Sequence, residues 1–158
     1  MLQINPPIKK LVADAYSRLE DYFGVKASTT AVAPGRVNLI GEHIDYCDGF
    51  VLPFALDRAI VIAGRARLDN RVRIASDLNQ EVVSMHLDAP LREADPKWSN
   101  YIRGVMCGFQ KLGYHLPGFD AFIVSSIPQG AGLSSSAALE LAVATLLEGI
   151  LDTCLKTR

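Results

Sequence analysis

The sequence predicts an α+β fold in which helices pack on a largely antiparallel sheet. Three separated stretches have the residue patterns of helices, at the N-terminus, after residue 96 and near the C-terminus. Between them lie short runs rich in β-branched residues, divided by Gly, Asp and Asn turns. Because these elements are intermixed without a regular βαβ alternation, α+β fits better than a doubly wound parallel sheet.

The N-terminal half is predicted to contain one helix followed by strands. Apolar residues recur at helical spacing over Asn5–Phe23, two prolines suit the first turn, and Gly24 ends the helix. From residue 28 to residue 86 the pattern changes to strands. The predicted strands are TTAVA, FVLPFAL, AIVIAGRA, RVRIAS and EVVSMHL.

The second half is predicted to form two helices with a strand between them. A helix over Ser99–Leu112 follows Pro96 and is closed by Gly113. GFDAFIVSSI alternates well enough for a strand. The stretch Leu133–Leu151 is rich in Ala and Leu and has high helix propensity.

Bulk composition points to an ordinary globular chain. With 158 residues it fits one domain. The composition is 49% hydrophobic and 21% charged with a net charge of −1, so the chain lacks the excess of basic residues typical of nucleic-acid-binding domains. It contains neither a signal-peptide pattern nor a run of about 18 apolar residues, so we expect a cytoplasmic protein without a membrane partner. Three widely spaced cysteines without a C-x-x-C pair predict reduced thiols rather than a zinc site.

One stretch, PQGAGLSSSAALELAVATLL over Pro128–Leu147, has the features of a phosphate site. Gly130 and Gly132 let the backbone come close to a ligand, and Ser134–Ser136 open a helix whose first N–H groups and dipole attract anions. Serine hydroxyls add donors to phosphate or a ligand to Mg²⁺. The alternative is a serine-capped helix after a Gly-rich turn, which is common.

Three better-known loop motifs do not fit this stretch. It has no Gly-Lys-Ser/Thr, so it is not a Walker A loop. It lacks the third glycine of a dinucleotide fingerprint. A serine also stands where a nucleophile elbow needs its second glycine, and no histidine follows to act as the base of a catalytic triad.

A second stretch, GRVNLIGEHIDY over residues 35–46, concentrates polar side chains around a short apolar run. Carboxylates at Glu42 and Asp45, with His43 between them, suit neighbouring hydroxyls of a sugar. Arg36 offers a permanent charge and a planar fork for a phosphoryl group or a carboxylate. The alternative is a surface turn with an Arg–Glu pair and a structural histidine. Together the two stretches are interpreted as half-sites of one kinase.

These segments resemble a known family. GRVNLIGEHIDY followed by CDGFVLPFALD resembles the galactokinase signature, and KWSNYIRGV also resembles galactokinases. PQGAGLSSSAALE resembles the phosphate-binding motif of the GHMP small-molecule kinases. The resemblance runs over residues 31–147 and implies the N-terminal lobe of a GHMP kinase, with the ribosomal protein S5 domain 2-like fold.

The resemblance also implies domain limits and a reaction. Residues 1–27 would be an N-terminal helix and lead-in, 28–151 the lobe that carries both motifs, and 152–158 a tail outside the family. The reaction would transfer the γ-phosphoryl group of ATP to the C1 hydroxyl of galactose, with ATP and Mg²⁺ required.

Residue roles follow from the matching positions. Arg36 stands where the family has a transition-state stabiliser, and Ser136 where a serine hydroxyl meets Mg²⁺. Galactose would be bound by Glu42, His43 and Asp45. The ATP phosphates would be bound by Gly130, Ala131, Gly132, Leu133, Ser134, Ser135 and Ser136.

Some family features are not found in the sequence. The aspartate that serves as catalytic base, an acidic Mg²⁺ ligand and the C-terminal lobe come later in galactokinases, which suggests a truncated or frameshifted chain that is catalytically deficient alone. A separately encoded C-terminal lobe would then be a partner. Two alternatives stay open: a galactose or nucleotide sensor without catalysis, which the intact serine loop disfavours, and another GHMP kinase, which the sugar signature disfavours.

Overall fold

The computed structural model describes residues 6–41, 49–128 and 132–152. Within these ranges, helices and strands are intermixed along the chain. The elements in order are α1 (Pro6–Phe23), β1 (Thr29–Ile40), β2 (Leu52–Ala66), β3 (Arg71–Ser76), β4 (Asn79–His86), α2 (Ser99–Lys111), β5 (Phe119–Ser125) and α3 (Ser135–Leu151).

The five strands form one mixed sheet in the order β1-β2-β5-β3-β4. The pairs β1–β2, β2–β5 and β3–β4 are antiparallel, and β3–β5 is parallel. The predicted α+β fold with a largely antiparallel sheet is therefore confirmed.

Helices cover the sheet on both faces. Along β2, Ile60 and Ile62 belong to the core cluster that includes buried residues of α2 and α3. Val61 and Ala63 belong to the cluster that includes Ala15 and Leu19 of α1. Successive strand residues point to opposite faces, so the continuous apolar run AIVIAG is explained by burial on both sides.

The first two strands are longer than predicted. TTAVA continues through Arg36 as the twelve-residue β1, and FVLPFAL joins AIVIAGRA in the fifteen-residue β2. The prolines in these strands are tolerated because β1 is an edge strand and β5 pairs with β2 only over Ile60–Ala66. Pro53, opposite Asn38, therefore has no second strand beside it within the described sheet.

A buried carboxylate joins three strands at one end of the sheet. Asp120 of β5 is almost fully buried and accepts hydrogen bonds from Arg73 of β3, at 2.6 and 2.8 Å. Arg67, which follows β2, donates to the same carboxylate at 3.0 Å. Arg67 also donates to Asp69 and holds the pKa of that carboxyl well below its usual range. These bonds compensate for the buried charge.

Gly118 precedes β5 and lies against backbone. Its N–H donates to the carbonyl of Asp69 at 3.0 Å, and its carbonyl accepts from the N–H of Arg67 at 2.7 Å. A Cβ at this position would lie 2.8 Å from the nitrogen of Arg71 and closer still to two carbonyl oxygens. A side chain here would push β5 away from β3.

No helix within residues 6–41, 49–128 and 132–152 combines the length and apolar character that crossing a membrane requires.

We expect Gly118→Ala to lower the free energy of unfolding by about 1 to 3 kcal/mol, the range for overpacking, because backbone has to move. The control is Gly108→Ala in α2, where an added Cβ meets nothing within 4 Å. That variant should be unchanged or more stable by up to about 1 kcal/mol. Urea unfolding followed by circular dichroism measures both, and equal stability of the two variants would contradict the packing described for Gly118.

Candidate active site

Strand β1 lies directly beside the segment that leads into α3. The backbone N–H of Arg36 donates to the carbonyl of Leu133 at 3.2 Å. Gly35 permits this approach, because a Cβ there would lie 3.1 Å from the same oxygen and 3.2 Å from Cδ1 of Ile127. Gly35 and Arg36 of one sequence motif are therefore neighbours in space of Leu133 of the other, although they are far apart along the chain.

Helix α3 begins with an unusual backbone. Ser134 at the N-cap has φ 54° and ψ 42°, the left-handed region, and its hydroxyl makes no capping hydrogen bond. Gly132 has φ 67°. The first helical bond of this turn is donated by the N–H of Ala138 to the carbonyl of Ser134, at 3.0 Å. The amides of Ser135 and Ser136 precede it, and the helix dipole places partial positive charge at this end.

A cavity of about 360 Å³ opens beside the first turn of α3. Its walls are mainly apolar, with a few hydroxyl and amide groups, which is the usual composition of a small-molecule site. The lining residues are Ile60, Ser76, Leu78, Asn79, Trp98, Tyr101, Ile123, Ser125, Ile127, Ser135, Ser136 and Leu139.

Trp98 and Tyr101 at the start of α2 form an aromatic part of this wall. They also line a second, wider cleft of about 750 Å³ between α2 and α3, so the two spaces adjoin. The indole Nε1 of Trp98 is buried, and within the described ranges it has no hydrogen-bond acceptor. A buried N–H without an acceptor is costly to the folded state.

Asp77 lies at the turn between β3 and β4, between Ser76 and Leu78, which line the cavity. Burial raises the pKa of its carboxyl above the ordinary value, and the N–H of Ser125, 3.4 Å from Oδ2, acts in the opposite direction. The carboxyl therefore connects this turn to β5. Burial explains the raised pKa of Asp77, and no catalytic role is needed to account for it.

The structure describes only part of the predicted site. Arg36 lies on β1 and is partly buried, and the residues 132–136 surround the start of α3. The remaining predicted site residues lie outside the described ranges. They are Glu42, His43, Asp45, Gly130 and Ala131.

Sequence reasoning missed the aromatic and turn residues of the cavity. Trp98 and Tyr101 are three residues apart at a helix start, which puts them on one side of the helix. That spacing was visible in KWSNY. Leu78 and Asn79 gave no signal, because only the packing of the β3–β4 turn brings them to the cavity.

Among the described residues, no three His, Cys, Asp or Glu side chains gather where they could hold a metal ion. Ser136, in the cavity wall, supplies one hydroxyl oxygen. This limited donor set is compatible with Mg²⁺, which usually keeps several waters and takes substrate phosphates with one or two protein oxygens.

Two family models match the chain. The galactokinase galactose-binding signature matches residues 17–66, and the N-terminal domain of GHMP kinases matches residues 100–157. The first match includes β1 and the segment after it. The second includes α2, β5 and α3.

Two similar curated proteins are galactokinases. That of Chloroflexus aggregans (strain MD-66 / DSM 9485) is 51% identical over 128 residues, which are 81% of this chain and 33% of the relative. That of Roseiflexus sp. (strain RS-1) is 49% identical over 128 residues, 80% of this chain and 32% of the relative. The chain thus spans about a third of the length of the curated relatives it matches.

Solved structures share the fold. The galactokinase of Lactococcus lactis complexed with galactose has a TM-score of 0.82 at 31% identity, over 95% of this chain and 39% of that one. The mevalonate kinase of Methanococcus jannaschii has a TM-score of 0.67 at 21% identity, over 81% of this chain and 42% of that one. The second likeness concerns the fold alone.

The fold and these matches define the class of protein: the chain has the N-terminal domain of the GHMP kinases. Within that class it belongs to the galactokinase family, and it corresponds to the N-terminal portion of those proteins.

We expect Ser134→Gly to raise the free energy of unfolding by about 0.5 to 1 kcal/mol. Relief of the left-handed backbone strain should raise the free energy of unfolding by roughly 1 to 2 kcal/mol. The greater conformational entropy of glycine in the unfolded chain offsets part of this gain. Asp152→Gly is the matched control, because Asp152 caps the other end of α3 with φ 50°. Thermal and urea unfolding compare the two. A lower free energy of unfolding in Ser134→Gly alone would contradict this prediction, because it would mean that the serine side chain stabilises the turn.

Proposed function

We propose that this chain carries the sugar-binding and ATP-binding residues of a galactokinase, which transfers the γ-phosphoryl group of ATP to the C1 hydroxyl of galactose. The observation that carries the proposal is the 3.2 Å hydrogen bond from the N–H of Arg36 to the carbonyl of Leu133. It joins the strand that leads to the candidate sugar residues with the loop that would bind phosphate. A kinase needs its two substrates side by side.

ATP would bind across the start of α3. The hydroxyls of Ser134, Ser135 and Ser136 and the first amides of the helix would donate to phosphate oxygens. The adenine base of ATP would occupy the adjoining cavity, where Trp98 and Tyr101 provide aromatic surface.

Arg36 would act on the transferring group. Phosphoryl transfer develops charge on the equatorial oxygens, and a fixed guanidinium beside them stabilises the transition state. Galactose hydroxyls would be held by Glu42, His43 and Asp45, which follow β1 directly. Carboxylates accept hydrogen bonds from two neighbouring hydroxyls, so a sugar that lacks one of them is bound more weakly.

Mg²⁺ would neutralise part of the nucleotide charge when bound. Ser136 would supply one oxygen to it, and nucleotide phosphates and water would supply others. Serine at this position also donates to phosphate through its hydroxyl, so its loss should weaken nucleotide binding.

Mg-ATP should change the fluorescence of Trp98, which is the one tryptophan of the sequence and lines the cavity. Titration should give a saturable change. Ser136→Ala should weaken the affinity about tenfold or more, because a hydrogen bond to a charged group is worth about 1.5 to 3 kcal/mol. The control is Ser84→Ala on the exposed side of β4. Equal affinity of the two variants would contradict the ATP site.

Turnover is best measured in a chimera in which this chain replaces the matched segment of the Chloroflexus aggregans galactokinase. We expect galactose 1-phosphate as the product. Arg36→Ala should lower kcat by about 10³-fold or more, as loss of a transition-state arginine does. Arg65→Ala on β2 is the control, since this exposed arginine contacts the carbonyl of Lys26 at 3.4 Å.

Three results of the turnover experiment would refute the proposal. The first is an unchanged kcat in the Arg36→Ala chimera. The second is phosphorylation of mevalonate or homoserine in place of galactose. The third is binding of galactose and Mg-ATP without any turnover, which would indicate a sensor.

A further inference from the structure

The far end of the β1–β2 hairpin exposes large apolar side chains to solvent. We define the hairpin end as residues 39–40 and 50–54. Phe50 is 97% exposed, Phe54 58% and Leu52 53%, and Leu39 and Ile40 are exposed to a similar degree. Contiguous exposed apolar surface on a folded domain marks an interaction site or an aggregation liability.

The sequence of this segment is typical of a buried strand. FVLPFAL is an almost continuous apolar run, a pattern usually found where both faces of a strand are covered. The second half of β2 has this environment. The first half does not, because β5 pairs with β2 only over Ile60–Ala66 and no residue of the hairpin end belongs to either core cluster.

Both faces of the hairpin end are apolar. Ile40 lies opposite Leu52 in the strand pairing. Leu39 stands at an irregularity of the pairing between Asn38 and Ile40, and Pro53, next to Leu52 along β2, points to the face opposite to Leu52. A flat contact with a second copy would cover one face and leave the other in water. A partner that holds the hairpin between two surfaces would cover both.

The part of the curated relatives that lies outside the match indicates which partner would cover the hairpin end. The chain matches 33% and 32% of its two curated relatives, so about two-thirds of a galactokinase lies outside the match. The hairpin end also flanks residues 42–48, where the candidate sugar residues are. A partner that covers the hairpin end would therefore stand beside the candidate sugar site.

We propose that the hairpin end inserts into an apolar groove on the polypeptide that corresponds to this remaining two-thirds, whether that polypeptide is joined to the chain or separate. This interface is independent of catalysis. A complex that forms without phosphorylating galactose would refute the proposed function and leave the interface intact.

The experiment co-expresses the tagged full chain with the part of the Chloroflexus aggregans galactokinase that lies beyond the match. The hairpin variant is Leu52→Ser with Phe54→Ser. The matched control is Leu68→Ser with Leu112→Ser, two exposed leucines outside the hairpin end. The wild-type chain and the control should capture the partner at 1:1, measured by light scattering. The hairpin variant should capture at least about tenfold less, since apolar anchors dominate interfaces.

Three outcomes would overturn the inference: equal capture by the hairpin variant, no soluble complex with the wild-type chain, or a wild-type dimer that the hairpin variant makes monomeric. Should the hairpin variant fail to fold, hydrogen exchange in the wild-type complex decides. Slower exchange of the amides of residues 50–54 upon binding would support the interface, and unchanged exchange would refute it.

Discussion

The close contact of Gly35 and Arg36 with Leu133 is the constraint on which the candidate site depends. Glycine favours it, because a Cβ at residue 35 would lie 3.1 Å from the Leu133 carbonyl oxygen and 3.2 Å from Ile127, so a neighbour would have to shift by a few tenths of an ångström. The N–H of Arg36 then satisfies that carbonyl at 3.2 Å. One backbone hydrogen bond has a modest net free energy. Its importance is geometric, since it sets the distance between β1 and the start of α3.

The start of α3 combines features that serve binding better than stability. Ser134 adopts a left-handed backbone that suits glycine, and its hydroxyl does not cap the helix. Backbone strain of this kind is often found at ligand sites. Trp98, which lines the cavity beside it, has a buried indole N–H without an acceptor within the described ranges. Both features cost folding free energy.

Much of the fold could be predicted from the sequence because its signals are local. Helical spacing identified α1 and α2 within a few residues, and β-branched runs identified β3, β4 and β5. Boundaries were less accurate where pairing decides them. TTAVA was predicted to end before Pro34, and FVLPFAL and AIVIAGRA were predicted as separate strands, whereas an edge position and a missing second neighbour allow β1 and β2 to continue. The predicted helix at Leu133 begins at Ser135, since the backbone of Ser134 is left-handed.

The sequence by itself determined the family resemblance, the two motifs and the chemical roles expected of Arg36 and the serines, because residue types and short spacings contain that information. Only the tertiary structure decided that β1 adjoins Leu133, that Trp98 and Tyr101 share a cavity with Ser135 and Ser136, and that half of an apolar strand is left uncovered. These are relations between distant segments. They depend on strand order and register, which follow from the packing of the whole sheet and not from local pattern.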